Sequence, residues 1–410
     1  MKCRFCGQPL EKVFIDLINA PLSNSYLTKE QLNEPEAYFP LKVFFCESCW
    51  LVQLDEYKKS NEIFSEDYAY FSSYSKSWVK HAEKYVEMIC KRLSLNKSSK
   101  VMEIASNDGY LLQFFVKKGI PCLGVEPSTG TAKAAEEKGV ESIIEFFGSS
   151  LATRIVNERG KQGLVIGNNV LAHVPDINDF VESLKIVLSD TGTITMEFPH
   201  LLKLIMYNQF DTIYHEHFSY FSLNTVEQIF LTHGLKIYDV EELPTHGGSL
   251  RIYASRVEDE SHNIMGLSVK SIKKKEIEFG LLNSEIYTSF QKKANIVKNS
   301  FLSFLLEQKR MEKKIVAYGA AAKGNTLLNY CGIKGADLIE FVVDASPYKQ
   351  GKFLPGSYIP IVSEQRIFDD KPDIIVVFPW NIKEEIFAQL SYVKEWNCQF
   401  VVAVPKLELI

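Results

Sequence analysis

Lys100-Val-Met-Glu-Ile-Ala-Ser-Asn-Asp-Gly109 passes from an apolar run into a tight polar turn, and the order of elements around it sets the fold. Val101–Ala105 reads as a buried strand, and Asn107-Asp108-Gly109 is a turn in which glycine lets the backbone approach a ligand closely. A helix with Leu111, Leu112, Phe114 and Phe115 follows. Strand and helix signals then alternate: a strand at Cys122–Val125, a helix at Thr131–Lys138, a strand at Leu164–Ile166, a helix at Ile177–Leu188 and a strand at Thr193–Phe198. Such alternation predicts a doubly wound parallel α/β sheet, a Rossmann-like unit. Ser222 reads as the N-cap of a helix ending near Gly234, and two strands flank Pro244-Thr-His-Gly-Gly-Ser249.

Upstream, Trp78, Ala82, Tyr85, Val86 and Ile89 recur at helical spacing within Ser77–Leu93. Downstream, Phe290, Val297, Phe301 and Phe304 share one face of an expected connecting helix. A further α/β unit opens with Lys314-Ile-Val-Ala-Tyr-Gly-Ala-Ala-Ala-Lys-Gly-Asn325, with strands expected at Glu340–Asp344, Asp373–Phe378 and Gln399–Val404. The chain of 410 residues therefore divides into three expected units: 1–76, 77–257 and 258–410.

A formal net charge of -5 argues against a protein that holds nucleic acid by neutralising phosphates. The start, Met1-Lys-Cys-Arg-Phe-Cys-Gly7, has no apolar leader, and no apolar run reaches the roughly 18 residues of a membrane span. A cytoplasmic protein with no membrane partner is expected. Among eight cysteines, Cys3-x-x-Cys6 and Cys46-x-x-Cys49 form two knuckles, each able to aim two thiolates at one ion. A closed four-cysteine zinc site is the expectation for this first unit; a redox dithiol is the other reading.

Ligands of open α/β sheets bind beyond the carboxyl ends of the strands. Three such ends supply Glu103, Ala105, Asn107 and Gly109, then Glu126 and Pro127, then Asn168 and Asn169. A carboxylate in the position of Glu126 can accept both ribose hydroxyls of a nucleoside. The full glycine-rich phosphate cradle is missing, which favours S-adenosyl-L-methionine over NAD, although an acidic residue alone does not separate them. Ahead of this unit, Asp67-Tyr-Ala-Tyr-Phe-Ser-Ser-Tyr-Ser75 is either a surface loop with packed tyrosines or a lid. As a lid it would bring Tyr70 and Ser73 to the cofactor and Tyr68 to the substrate.

Within Tyr214-His-Glu-His217 lie a phenol, two imidazoles and a carboxylate. Histidines two apart share a face only on an extended strand, and the H-E-x-x-H zinc signature is missing. A general base is therefore favoured over a catalytic metal. Methylation on oxygen or nitrogen uses a lone pair already present, whereas a carbon acceptor must first lose a proton beside a carbonyl. That second case needs both a base and hydrogen-bond donors to the oxyanion, for which Tyr214 and His173 are candidates.

The ordered motifs Cys3/Cys6 with Cys46/Cys49, Pro21-Leu-Ser-Asn-Ser-Tyr26, Tyr68-x-Tyr70-x-Ser-Ser73, Glu103–Gly109, Asn168-Asn-Val-Leu-Ala-His173, Ile213–Phe218, His246-Gly-Gly-x-x-Arg251, Tyr318–Asn325, Asp344-x-Ser-Pro-x-Lys349 and Pro379-Trp-Asn381 run the length of the chain. Together they resemble the three-domain sugar C-methyltransferases that act on nucleotide-linked 4-keto-deoxysugars. The resemblance implies a zinc module, a central class I adenosylmethionine domain and a C-terminal Rossmann-like domain that helps hold a nucleotide-sugar substrate. It implies that His217 removes the C3 proton beside Tyr214, Glu216 and His173. His215 departs from the pattern and receives no role, and Ala105 stands where many methyltransferases have glycine. Lys323 and Asn325 either face a diphosphate or merely pack a β-α turn; His246 and Arg251 are either strand-end structure or substrate contacts. The resemblance favours substrate contact for all four, and for Asp344 and Lys349. Two rival readings are a nicotinamide-dependent sugar-nucleotide oxidoreductase using Gly319–Gly324, and a non-catalytic zinc-containing binding protein.

Overall fold

The computed structural model describes residues 1–58, 71–262 and 266–410. Apolar runs that no water can reach form the centre. β1 (Lys12–Ala20), β2 (Phe39–Phe45) and β3 (Val52–Leu54) pair antiparallel in the first unit. Next come β4 (Val101–Ile104), with all four residues buried, β5 (Cys122–Val125), β6 (Glu141–Ile143), β7 (Gln162–Asn168) and β8 (Leu188–Pro199). β9 (Ser219–Tyr220), β10 (Leu235–Leu243) and β11 (Ser249–Arg256) follow. The last six are β12 (Ile315–Tyr318), β13 (Val342–Val343), β14 (Ile361–Val362), β15 (Ile374–Val377), β16 (Gln399–Val402) and β17 (Glu408–Leu409).

The central sheet has the order β10-β11-β8-β7-β4-β5-β6. From β8 to β6 its pairings are parallel, as expected for strands covered on both faces. The closing pair β10 and β11 is antiparallel. The winding reverses at β4, whose neighbours are β5 and β7, so a crevice opens beyond its carboxyl end. The C-terminal sheet, β14-β13-β12-β15-β16-β17, reverses in the same way at β12, and only β17 runs antiparallel.

Helix Lys76–Arg92 starts where the Ser75 hydroxyl accepts the Trp78 N–H, and it buries Ala82, Tyr85, Val86 and Ile89 against the sheet. Ser222 caps helix Leu223–Thr232 by accepting the Thr225 N–H, as the sequence suggests. Helix Phe290–Arg310 buries Phe290, Val297, Phe301 and Phe304 on one face.

These four side chains join one apolar core with Phe14, Leu41 and Phe45 of the first sheet, Phe210 and Ile213 of the segment before β9, Ile315 of the third sheet and Leu327 of helix Ala322–Cys331. The units are thus fused through shared hydrophobic packing. A second tie is β9, which leaves the central unit to pair with β3 through Val52↔Tyr220 and Gln53↔Ser219, completing the order β1-β2-β3-β9. Among the described residues no helix is long and apolar enough to cross a membrane.

Candidate active site

The turn after β4 is wound tightly. Ala105 (φ 56°), Asn107 (φ 49°) and Gly109 (φ 71°) all adopt left-handed backbone, which L side chains disfavour. Only glycine suits position 109, because a Cβ there would lie 3.1 Å from the Ala135 side chain. Glu126, at the end of β5, accepts the N–H groups of Asn107 and Ser128 at 3.0 Å each, one on each oxygen. Burial pushes its pKa up, and each oxygen keeps a second lone pair. Pro127 follows, half-buried. Glu103 lies fully buried beside the Tyr110 phenol with neither oxygen hydrogen-bonded, and burial raises its pKa well above the carboxylate range. Ser106 Oγ, Asp108 Oδ1, Ser128 Oγ and Asn169 Oδ1 are likewise buried without partners. Buried polar atoms normally find partners, so this concentration of vacant ones fits a ligand bearing hydroxyl and amino groups, as adenosylmethionine does.

The segment before helix Lys76–Arg92 docks on that turn. Asn107 Oδ1 accepts the Ser72 N–H (2.8 Å), Asp108 Oδ2 accepts the Ser73 N–H (3.3 Å), and Lys138 Nζ donates to Ser73 Oγ (2.7 Å) and Asp108 Oδ2 (3.0 Å). Ser73 therefore stands beside the turn after β4, whereas Tyr68 and Tyr70 lie outside the described residues. From the end of β7, Asn168 donates to the Tyr110 hydroxyl (3.3 Å), and the left-handed Asn169 (φ 56°) donates to His246 Nε2 (2.9 Å).

Next to this crevice the chain turns sharply at Tyr214, whose carbonyl accepts the His217 N–H (2.9 Å). His215 and His217 therefore diverge. His215 packs against Phe39 and Tyr57 of the first unit, its Nε2 3.2 Å from the Pro40 carbonyl. The His217 ring lies 4.1 Å from the Tyr214 ring and 4.8 Å from the His173 ring, centroid to centroid. His217 Nδ1 is 3.0 Å from the Thr212 carbonyl, and His173 Nδ1 is 2.7 Å from the Glu216 carbonyl. A carbonyl only accepts, so both Nδ1 atoms carry the proton and Nε2 is the basic nitrogen of each neutral ring. Burial, reinforced for His217 by His173, His246 and Lys323, holds its pKa well below the usual value; burial takes His173 down to about 4. The Glu216 carboxylate accepts the Asn24 amide at 2.6 Å.

The third unit faces the same space. Lys323 Nζ donates to Asn381 Oδ1 (2.7 Å) and lies 4.4 Å from the centroid of the Trp380 ring. Trp380 Nε1 donates to the buried Asp211 Oδ2 (2.7 Å). Gly247 makes room for that indole, since a Cβ there would come within 2.4 Å of it. Asn325 donates to the Ser23 carbonyl (2.5 Å), and Thr326 to the Ile213 carbonyl (2.8 Å). Lys349 pairs with Asp344 (3.3 Å), donates to the Ala320 carbonyl (2.9 Å) and stands over Tyr26 (5.4 Å).

At the cysteines, all four sulfurs lie within 4.8 Å of one another, with Cys3–Cys49 at 3.6 Å and Cys6–Cys46 at 3.5 Å. Tetrahedral Zn–S bonds of about 2.3 Å place sulfurs roughly 3.8 Å apart, so the four thiolates fit one zinc ion with no position left open. Gln53 donates to Cys3 Sγ (3.1 Å), the type of outer hydrogen bond that orients a ligand.

Three family models match in order: a zinc binding domain over residues 3–64, a methyltransferase domain over 78–240 and a C-methyltransferase C-terminal domain over 244–405. The C-methyltransferase NovU of Streptomyces niveus is 32% identical over 409 residues, covering 100% of this chain and 96% of that protein. The chain belongs to the C-methyltransferase family. Solved structures of S-adenosylmethionine-dependent methyltransferases are similar to part of it. One from Anabaena variabilis has 15% identity and a TM-score of 0.38, covering 50% of this chain and 99% of its own. One from Clostridium acetobutylicum has 11% identity and a TM-score of 0.35, covering 43% and 92%.

This C-methyltransferase uses adenosylmethionine and carries a zinc-binding module. The nicotinamide oxidoreductase and the non-catalytic binding protein are set aside by the match along the whole chain to a C-methyltransferase. Its fold groups His217 with Tyr214 and His173, ties His173 to the Glu216 carbonyl and Asn169 to His246, and sets His246 and Lys323 within electrostatic reach of His217. Arg251 pairs with Glu197 (2.7 Å) and Glu241 (3.2 Å) against the Tyr85 ring, and Glu197 in turn accepts from Thr245, next to His246. Asn24, Asp211, Trp380 and Asn381 also reach the site, where membership of a longer motif is the sequence's sign of it. The motifs Pro21–Tyr26 and Pro379–Asn381 carried that signal for all but Asp211.

Proposed function

We propose that this enzyme transfers a methyl group to C3 of a nucleotide-linked 4-keto-6-deoxyhexose, a step that builds branched-chain deoxysugars. Adenosylmethionine, when bound, supplies an electrophilic methyl group. A carbon acceptor has no lone pair to offer it until a proton beside a ketone is removed, so the chain itself must provide a base and a place for the displaced charge. The observation that carries this reading is the hydrogen bond from His217 Nδ1–H to the Thr212 carbonyl, which leaves Nε2 as the basic atom in a ring kept neutral by burial. In this reading Tyr214 and His173 flank that ring, Glu216 is held in place by Asn24, and the cofactor lies at Ser73, Glu103–Gly109, Glu126–Pro127 and Asn168–Asn169. The sugar nucleotide spans His246, Lys323, Asn325 and the Asp344–Lys349 pair. An anionic nucleotide entering this space would raise the His217 pKa towards neutrality, where a base works best.

His217→Ala tests the reading. Loss of the base predicts a drop in kcat of about 100- to 10,000-fold with adenosylhomocysteine affinity unchanged. Turnover near the wild-type rate would remove His217 from that role.

A further inference from the structure

The sequence leaves Lys323 with a choice between a diphosphate and mere packing, but its surroundings suggest a third use. Lys323 follows the turn at Gly319, near the start of helix Ala322–Cys331, and its ammonium is set on the Trp380 indole. That indole is pinned to Asp211, whose neighbour Thr212 holds the His217 ring. The same indole contacts the turn that carries His246, through the space left by Gly247. Through Trp380 and Asp211, Lys323 is thus tied to the loop that carries His217 and to the turn that carries His246, and its charge disfavours protonation of both rings. Its one hydrogen bond, to Asn381, leaves two N–H donors without a protein partner among the described residues.

We propose that Lys323 is a catalytic residue whose ammonium receives the charge that develops on the acceptor's carbonyl oxygen while His217 takes the neighbouring proton. This rests on the ketosugar reading above. The step balances: the C–H proton passes to His217 Nε2, its electron pair forms the carbon–carbon double bond of the enolate, and the carbonyl π pair moves onto oxygen against Lys323. A fixed cation in a water-poor site acts strongly on such charge because it needs no reorganisation. Burial, partly offset by Asp211, brings the Lys323 pKa down to about 8, which still leaves it mostly protonated at neutrality.

The test is enolisation without methyl transfer. Thymidine-diphospho-4-keto-6-deoxyglucose is incubated in deuterium oxide with enzyme and adenosylhomocysteine, and deuterium at C3 is followed, while the sugar-nucleotide Kd is measured by titration. Lys323→Met is expected to lower exchange at least ~100-fold, as removal of an oxyanion donor does, while the Kd stays within about 3-fold. Lys323→Arg should recover part of the rate. Zinc content and adenosylhomocysteine affinity show that the variants are folded, and Lys323→Gln replaces Lys323→Met if the latter is not. Near-normal exchange with a Kd weakened more than ~10-fold would assign the ammonium to the diphosphate and overturn the proposal. Wild-type enzyme that binds the sugar nucleotide yet exchanges nothing at C3 would instead sink the enolate reading, and this proposal with it.

Discussion

Replacing Arg251 by methionine separates a structural strut from a substrate contact. The guanidinium is buried, 2.7 Å from Glu197 and 3.2 Å from Glu241, and stacks 4.5 Å from the Tyr85 centroid. Glu197 also accepts from His81 at 2.9 Å and from Thr245 at 2.8 Å. Burial alone would raise the Glu197 pKa; the His81 hydrogen bond and the Arg251 charge reverse this and bring it from 4.5 to about 2. That difference corresponds to about 3 kcal/mol favouring the ionised form, shared among its partners. Removing one partner of a buried pair strands the other, which costs about 3–5 kcal/mol, so Arg251→Met should lose about 3 kcal/mol. For a unit of this size that means a Tm lower by roughly 10 °C. The sign with pH follows from the depressed pKa: the Glu197 contribution is complete above about 4.5 and fades as pH falls towards 2. The gap in Tm between wild type and variant should narrow as pH falls and the stranded Glu197 of the variant takes up a proton, followed by scanning calorimetry. A Tm change under about 2 °C, with a raised KM for the methyl acceptor, would refute the argument and return Arg251 to a ligand contact.

Two further outcomes follow from the packing. Gly247→Ala adds a Cβ 2.4 Å from Trp380 and 2.7 Å from Gln209 Nε2 on a backbone with φ 87°, so it should cost about 2–4 kcal/mol and lower kcat by displacing the Lys323 platform; a variant with wild-type Tm and kcat would contradict this. Metal analysis should find about one zinc per chain, and chelation should unfold the first unit and abolish turnover together, because Asn24 loses its hold on Glu216; folded, active, metal-free protein would be the opposing result.

Local patterns made the central unit readable. β4 and β5 are short apolar runs ended by polar turns, and Ser222 announces its helix by a side-chain cap. Helix Ser149–Arg159 carries no such signal, since it starts at Gly148 without a side-chain cap. β6, β14 and β17 are two or three residues long and draw their order from neighbouring strands. The site was legible as chemistry but not as geometry. The His215/His217 spacing reveals two imidazoles, yet the turn at Tyr214 decides which one faces the chamber. Asp211 and Trp380 are 169 residues apart and Asn24 and Glu216 192 apart, and no local periodicity encodes such pairs.

β9 has a bearing on how such an enzyme can be reshaped. Its two residues follow the His217 loop directly, yet they finish a sheet whose other strands lie before residue 55. Exchange of the cysteine-bearing module for that of a relative would leave Ser219 and Tyr220 facing a foreign edge, and the His217 loop would lose its anchorage. A viable chimera would have to transplant this dipeptide along with the module, so recombination is constrained at a place far from any boundary visible in the primary structure.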